Sequence, residues 1–279
     1  VDTLAQANKR IDALIRAIES PILPKPGEPV FIGVDVGTAN VVTVAVDSRG
    51  WPIGGAIERA RVVREGMVVD YLSAVSIVNR QAQFLREKLH TEFGPAASAY
   101  PPVTEEGNIK VTRNILESAD LEVVEMIDEP SAAAMALGIK DGAVVDVGGG
   151  TTGVSILRDG SVVYTADEAT GGFQFDLVIA GATGVSIEEA ERHKRNSKEQ
   201  KRLFPLVRPV MEKIATIVKR HIRNYPVEAI YLVGGSCSFY GFADHMERET
   251  GLPVYLPAQP LYVTPMGIAL ACVTQPGRR

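Results

Sequence analysis

The sequence predicts an α/β protein of two lobes, each a mixed sheet flanked by helices. Three observations carry that expectation. At 279 residues the chain exceeds the usual size of one hydrophobic core, and its 46% apolar residues suffice to fill two. One phrase is written twice: Val34-Asp35-Val36-Gly37-Thr38-Ala39-Asn40-Val41-Val42-Thr43-Val44 returns as Val145-Asp146-Val147-Gly148-Gly149-Gly150-Thr151-Thr152-Gly153-Val154-Ser155. The same scheme of strands and helices then follows each copy. Both copies read as strand, tight turn, strand, with a β-branched run that ends in Asp before small residues turn the chain.

The elements follow in order. Residues 2–19 place Leu4, Ala7, Ile11, Leu14, Ile15 and Ile18 on one helical face, with Asp2, Gln6, Arg10 and Arg16 elsewhere. Pro21, Pro24, Pro26 and Pro29 then break regular structure, which sets the helix apart on a stiff linker. Its stripe has two uses, packing on the protein's own body or lying in a partner's groove. From Val30 onward, strands are expected at 30–36, 41–47 and 51–57, a helix at 69–92, a short helix at 111–119 and a strand at 121–127. Asp128–Gly138 reads as a helix opened by Pro130 and closed by Gly138. The second half predicts strands at 142–147, 152–158 and 161–165 and helices at 172–182, 186–196 and 205–223. A strand at 228–233 and helices after Ser236 and Thr264 complete it. This divides the chain into 1–29 (helix and linker), 30–141 (first lobe, small subdomain 54–98) and 142–279 (second lobe, helical subdomain 177–225).

Composition narrows the partners. The net charge of −5, with basic residues dispersed apart from 192–202, argues against nucleic acid as principal ligand. Cys237 and Cys272 are the only cysteines, which fits a reduced cytosolic protein without a disulfide framework. No apolar run reaches the ~18–20 residues of a spanning helix, and no signal-peptide core stands at the N-terminus, so a soluble cytosolic protein with no membrane partner is expected.

The repeated turns carry the chemistry. Glycine permits positive φ and close approach of a ligand to the backbone. Successive N–H groups in such a turn make a nest for phosphate oxygens. Asp at each strand end suits a hydrated magnesium ion, which takes few carboxylates. Two such hairpins would clamp a polyphosphate from both sides. One such turn is an ordinary hairpin; two in register, the second drawn out to Gly148-Gly149-Gly150-Thr151-Thr152, are more than turn chemistry requires.

With Asp128-Glu129-Pro130-Ser131-Ala132-Ala133-Ala134 and Val233-Gly234-Gly235-Ser236 added, the chain resembles the actin-like ATPase (ribonuclease H-like) superfamily of DnaK-type chaperones, actins and sugar kinases. Its five nucleotide signatures find candidates in order at Asp35–Asn40, Glu129–Gly138, Asp146–Thr152, Gly234–Ser236 and Pro265–Leu270. Gly171-Gly172-Phe173-Gln174-Phe175-Asp176 and Glu191-Arg192-His193-Lys194-Arg195 are similar to phrases of the DnaK branch. Within the superfamily the chain looks like the ethanolamine-utilisation chaperone-like (EutJ) family. That likeness rests on Val62–Asp70, Asn114–Ala119, Ala166–Gly172 and Gly234–Cys237.

The resemblance implies ATP or ADP with magnesium, the metal held through water by Asp35 and Asp146. It implies phosphate contacts from Gly37, Thr38, Asn40 and the backbone of Gly148, Gly149, Gly150 and Thr151, with Gly171 and Gly172 beside them. Glu191, Lys194, Gly234, Gly235 and Ser236 would line the adenosine pocket. Glu129 would position the attacking water or accept its proton; its plainer role is to complement a helix macrodipole. Glu191 and Lys194, spaced i,i+3, have the plainer role of a surface ion pair. The γ-phosphate lysine of the DnaK branch lies in an insertion replaced here by residues 54–98, which leaves Lys88 and Lys110 as basic substitutes and slow turnover as the expectation.

The implied function is a chaperone-like switch on enzymes of ethanolamine utilisation, with microcompartment shell proteins as further partners. Its location would be cytoplasmic and microcompartment-associated. A scaffold whose assembly is gated by nucleotide, with weak self-association, is the competing function. A sugar kinase is disfavoured by the lack of a sugar-recognition insertion with an Asp base. Fold alone does not separate these.

Overall fold

The computed structural model describes residues 4–64, 66–102 and 104–274; Asp2, off the apolar stripe of the N-terminal helix, and Glu65 lie outside the described residues. Residues up to Ile139 together with those from Tyr262 onward form one compact unit, and Lys140–Leu261 form a second.

The first unit opens with helix α1 (Ala5–Glu19). The hairpin of β1 (Phe31–Val36) and β2 (Asn40–Val46) is extended by the antiparallel edge strand β3 (Pro52–Arg59). Next come a two-residue hairpin, β4 (Val63–Arg64) and β5 (Met67–Val68), and helix α2 (Tyr71–Leu89). Strand β6 (Pro95–Tyr100), helix α3 (Glu106–Glu117), strand β7 (Glu122–Asp128) and helix α4 (Glu129–Leu137) complete this run. The sheet order is β3-β2-β1-β6-β7, with β6 and β7 parallel to β1.

The second unit contains β8 (Gly142–Val147), β9 (Thr152–Arg158) and β10 (Ser161–Glu168), followed by α5 (Gly172–Thr183), α6 (Ile187–Arg195) and α7 (Ser197–Ile222). It continues with β11 (Ile230–Val233), a 3₁₀ turn at Gly235–Ser238, α8 (Phe242–Thr250) and β12 (Val254–Tyr255). Its order, β10-β9-β8-β11-β12, and its strand directions repeat those of the first sheet. The last helix, α9 (Val263–Val273), belongs to the first unit.

Four expectations are corrected. Strand β6, unforeseen, is the sheet neighbour of β1. It reads Pro-Ala-Ala-Ser-Ala-Tyr because helices pack closely on its sheet: Ala96 faces the core around Ile32, Ile77 and Leu85, while Ala97 and Ala99 join Ala132 and Ile268 on the other side. The span 54–98 is therefore not a subdomain; it supplies most of β3, α2 and part of β6, and β4–β5 alone stands as a separate small sheet. Residues 263–273 do not lie in the second lobe, since a Cβ at Gly267 of α9 would run into the Ala132 carbonyl of α4, and one at Gly33 of β1 into Ala269. Helix α7 starts at Ser197 rather than 205; Pro205 and Pro209 sit inside it on the exposed face, where water can satisfy the carbonyls they free.

The N-terminal stripe covers the protein's own body. Ile11, Leu14 and Ala17 are buried, and α1 lies along β3. Gly54 and Gly55 explain the fit, because successive strand residues point to opposite faces. A Cβ on Gly55 would meet Ile18 Cγ1 at 2.8 Å and Leu14 Cδ1 at 3.2 Å, and one on Gly54 would meet Leu85 Cδ2 of α2 at 3.2 Å. The linker also caps this edge strand, with Ile22 N–H donating to the Ile53 carbonyl at 2.8 Å.

Leu14→Ala should therefore cost about 2–5 kcal/mol in urea denaturation, the range for a fully buried leucine. Asp12→Ala, on the exposed face of the same helix, should change stability by less than about 0.5 kcal/mol. Equal effects of the two would contradict docking of α1 on β3.

Candidate functional site

Both repeated turns close in the same way. Gly37 N–H donates to the Asn40 carbonyl at 3.0 Å, and Gly148 N–H donates to the Thr151 carbonyl at 3.0 Å. Asp35 stands opposite Val42 and Asp146 opposite Gly153, the same register in each hairpin. Neither Gly37 nor Gly148 takes positive φ, which corrects the expected use of those glycines. What the turns offer is unspent backbone: among the described residues, the N–H groups of Thr38 and Ala39, and of Gly149 and Gly150, donate to no protein acceptor.

In the second unit, glycines are fixed by close approach. The Gly148 carbonyl accepts from Gly172 N–H at 2.9 Å and from Ser236 Oγ at 2.8 Å, and the Gly149 carbonyl accepts from Phe173 N–H at 2.8 Å. A Cβ on Gly171 would lie 2.8 Å from Thr151 N, one on Gly172 would overlap Ser236 Oγ, and one on Gly234 would overlap Asp146 Oδ1. Gly234 alone of these adopts the left-handed region, at φ +88°. Gly235 has room, with Leu261 Cδ1 at 3.4 Å, so sterics do not demand glycine there. At the mouth of α5, Gln174 Oε1 accepts from Gly171 N–H at 2.6 Å, and Thr152 Oγ1 donates to the Thr170 carbonyl at 2.6 Å.

Lys194 joins α6 to this corner. Its Nζ lies 2.9 Å from the Gly172 carbonyl and 2.8 Å from Asp176 Oδ1, and the Asp176 side chain is only 5% exposed. Glu191 sits three residues earlier on α6, half-buried. Cys237 follows Ser236 with its Sγ donating to the Val233 carbonyl at 3.0 Å; complete burial, reinforced by the Asp146 charge, pushes its thiol pKa well up and keeps it inert.

In the first unit, Asp35 is the last residue but one of β1, and Glu129 begins α4 directly after β7. Asp128 caps that helix by accepting from Ser131 N–H at 2.9 Å. Strands β1, β6 and β7 are parallel, so Asp35, Tyr100 and Asp128 gather at their carboxyl ends, the edge where open α/β sheets take ligands. Burial, with Asp128 and Glu125 nearby, raises the Tyr100 pKa. Lys88 places its ammonium over the Phe84 ring, 5.8 Å from the centroid.

The structure thus gathers Asp146, Gly148–Thr151, Gly171, Gly172, Lys194, Gly234 and Ser236 in the second unit. Asp35, Gly37, Thr38, Asn40 and Glu129 lie along one sheet edge of the first. Asp176 and Asp167 fell within phrases that carried the resemblance but were given no role of their own. A lone acid at the apolar start of α5 pointed to the first. The second needed β10 to run to Glu168, three residues beyond the expected end. The end of β10 is pinned to α7: Tyr164 Oη lies 2.6 Å from His221 Nδ1, His221 Nε2 lies 3.0 Å from Glu168 Oε1, and Arg220 also reaches Glu168. The His221 hydrogen bond lowers the Glu168 pKa. Asp167 faces the other side, where burial raises its pKa.

Comparison with known proteins gives the following. Residues 114–262 match the family model of the type IV pilus assembly protein PilM. Ethanolamine utilization protein EutJ of Escherichia coli K12 is 43% identical over 242 residues, covering 86% of this chain and 85% of that protein. The crystal structure of EutJ from Carboxydothermus hydrogenoformans is 42% identical, with a TM-score of 0.87 over 96% of this chain and 97% of that one. MreB5 of Spiroplasma citri bound to AMPPNP shares the fold, with a TM-score of 0.72 at 17% identity over 87% of this chain and 95% of that one.

Lys194→Met should destabilise the protein by about 3–5 kcal/mol in urea denaturation, because it removes the ammonium that balances the buried Asp176 carboxylate. The double variant Lys194→Met/Asp176→Leu should recover most of that loss. A double variant as unstable as the single would show that the Gly172 contact, rather than the buried pair, dominates.

Proposed function

Since the chain belongs to the ethanolamine utilization protein EutJ family and, over residues 114–262, to the type IV pilus assembly protein PilM family, we propose that it is a nucleotide-binding, chaperone-like protein of ethanolamine utilisation. It takes ATP or ADP with magnesium, turns ATP over slowly and acts on client enzymes in the cytoplasm, in association with their microcompartment. The observation that carries this reading is the turn at Gly148–Thr151, with two N–H groups unspent and walls that only glycine fits at Gly171, Gly172 and Gly234. Backbone so arranged favours an anion with several oxygens, as a polyphosphate is.

The residues also fit a hydrated magnesium ion. Each turn follows a single strand-end carboxylate, Asp35 or Asp146, and among the described residues no three His, Cys, Asp or Glu side chains cluster to hold a bare metal. Bound there, magnesium would neutralise phosphate charge. Asp35 and Asp146 would hold its waters, while Gly37, Thr38 and Asn40 would supply the matching turn. Glu191, Lys194, Gly235 and Ser236 would line the base and ribose, with Lys194 contributing through the wall it braces. Glu129, at the start of a capped helix, would orient the attacking water or take its proton.

ATP with magnesium should raise the melting temperature, since a ligand at 100 times its dissociation constant adds about 2.7 kcal/mol to the native state. Gly149→Val should abolish the rise, and an undiminished rise in that variant would place the nucleotide elsewhere. Glu129→Gln should keep ATP affinity but lose about 10²–10⁴-fold in turnover. Wild-type turnover in Glu129→Gln would remove that residue from the proposed chemistry.

A further inference from the structure

A row of three residues crosses the second sheet beside the Gly148–Thr151 turn. Asp146 of β8 stands opposite Gly153 of β9, and Gly153 stands opposite Asp167 of β10. Directly paired residues point to one face of a sheet. A Cβ on Gly153 would lie 3.9 Å from both Asp146 Cβ and Asp167 Oδ1, so the missing side chain leaves an open floor between two carboxylates. The side chain of Thr151, the last residue of the turn, favours the charged form of the Asp167 carboxylate. The neighbouring Glu168, on the opposite face, is locked to His221 and Arg220, which holds this end of the strand in place.

The first sheet provides the comparison within one molecule. At the equivalent register its row reads Asp35, Val42, Ile57, with apolar side chains where the second sheet has glycine and an acid. The fold therefore does not require Gly153 or Asp167. Strands lie about 4.8 Å apart, so Asp146 and Asp167 stand about 10 Å apart at the backbone. That separation leaves room between the two carboxylates for a magnesium ion that keeps its water shell.

We infer that Asp167 is a positioning residue of the nucleotide site, which fixes with Asp146 the place of the hydrated magnesium over the floor left by Gly153. The inference rests on the nucleotide reading above. Asp167 also connects that position to the turn, because it stands in the strand row directly beside the hairpin that the turn closes.

Titration calorimetry with ADP, in EDTA and across a magnesium series, tests it on the full chain. Wild type should bind ADP more tightly as magnesium rises. Asp167→Asn should leave ADP affinity in EDTA unchanged and raise the half-effective magnesium concentration about tenfold, the usual scale for a residue acting through a metal's ligands. Asp167→Glu should recover part of the magnesium response. Gly153→Val, which fills the floor while keeping both acids, should lose it as Asp167→Asn does. An equal fall in ADP affinity with and without magnesium, matched by Thr151→Ala, would overturn the inference and leave Asp167 as a brace for the turn. A wild-type magnesium response in both Asp167→Asn and Gly153→Val would overturn it as well. Absence of ADP binding in wild type under either condition would overturn the nucleotide reading itself, and Asp167 with it.

Discussion

One carbonyl oxygen organises the second unit. The Gly148 carbonyl receives the first N–H of α5 and the hydroxyl of Ser236, so three segments far apart in sequence converge on a single acceptor. Each donor comes close enough to exclude a methyl group from its neighbour, which is why Gly171, Gly172 and Gly234 are glycines. Lys194 tightens the same corner from α6 by holding the Gly172 carbonyl and a buried carboxylate. The turn is rigid before any ligand arrives, so binding there would cost little ordering of the backbone.

The first unit reaches its geometry by another route. Its paired turn is similar, but packing behind the sheet is set by alanine and glycine on α4, α9, β1 and β6. Small residues let backbones approach more closely than Leu or Val would, and Gly267 marks the closest approach, against Ala132. The Ala132-Ala133-Ala134 run is thus a packing surface, and the capped start of that helix presents Glu129 at the strand-end edge.

Much of this was legible in the sequence because the chain states it twice. The doubled phrase located both hairpins and both strand-end aspartates, and their matching register confirms the repeat. Failures came where packing overrode local preference. Strand β6 lacks β-branched residues because both faces of its sheet are crowded, although β11, its counterpart in the repeat, pointed to it. The helix expected from 205 instead begins two turns earlier, capped by Asn196, which accepts from Lys198 N–H, and it carries Pro205 inside it. Tertiary pairing of Lys194 with Asp176 across α5 and α6 left no local periodic trace, so spacing alone suggested only a partner on the same helix.

Gly54 and Gly55 carry a consequence for how the edge strand knows its place. A strand normally fixes its register through side chains that match one face to the core, because a slip of one residue turns every side chain over. Over these two positions β3 has no side chains with which to record such a slip. The information lies in its neighbours, in Leu14 and Ile18 on one side and Leu85 and Leu89 on the other. The alignment of the strand is borrowed from two helices, one of which precedes the whole sheet in sequence.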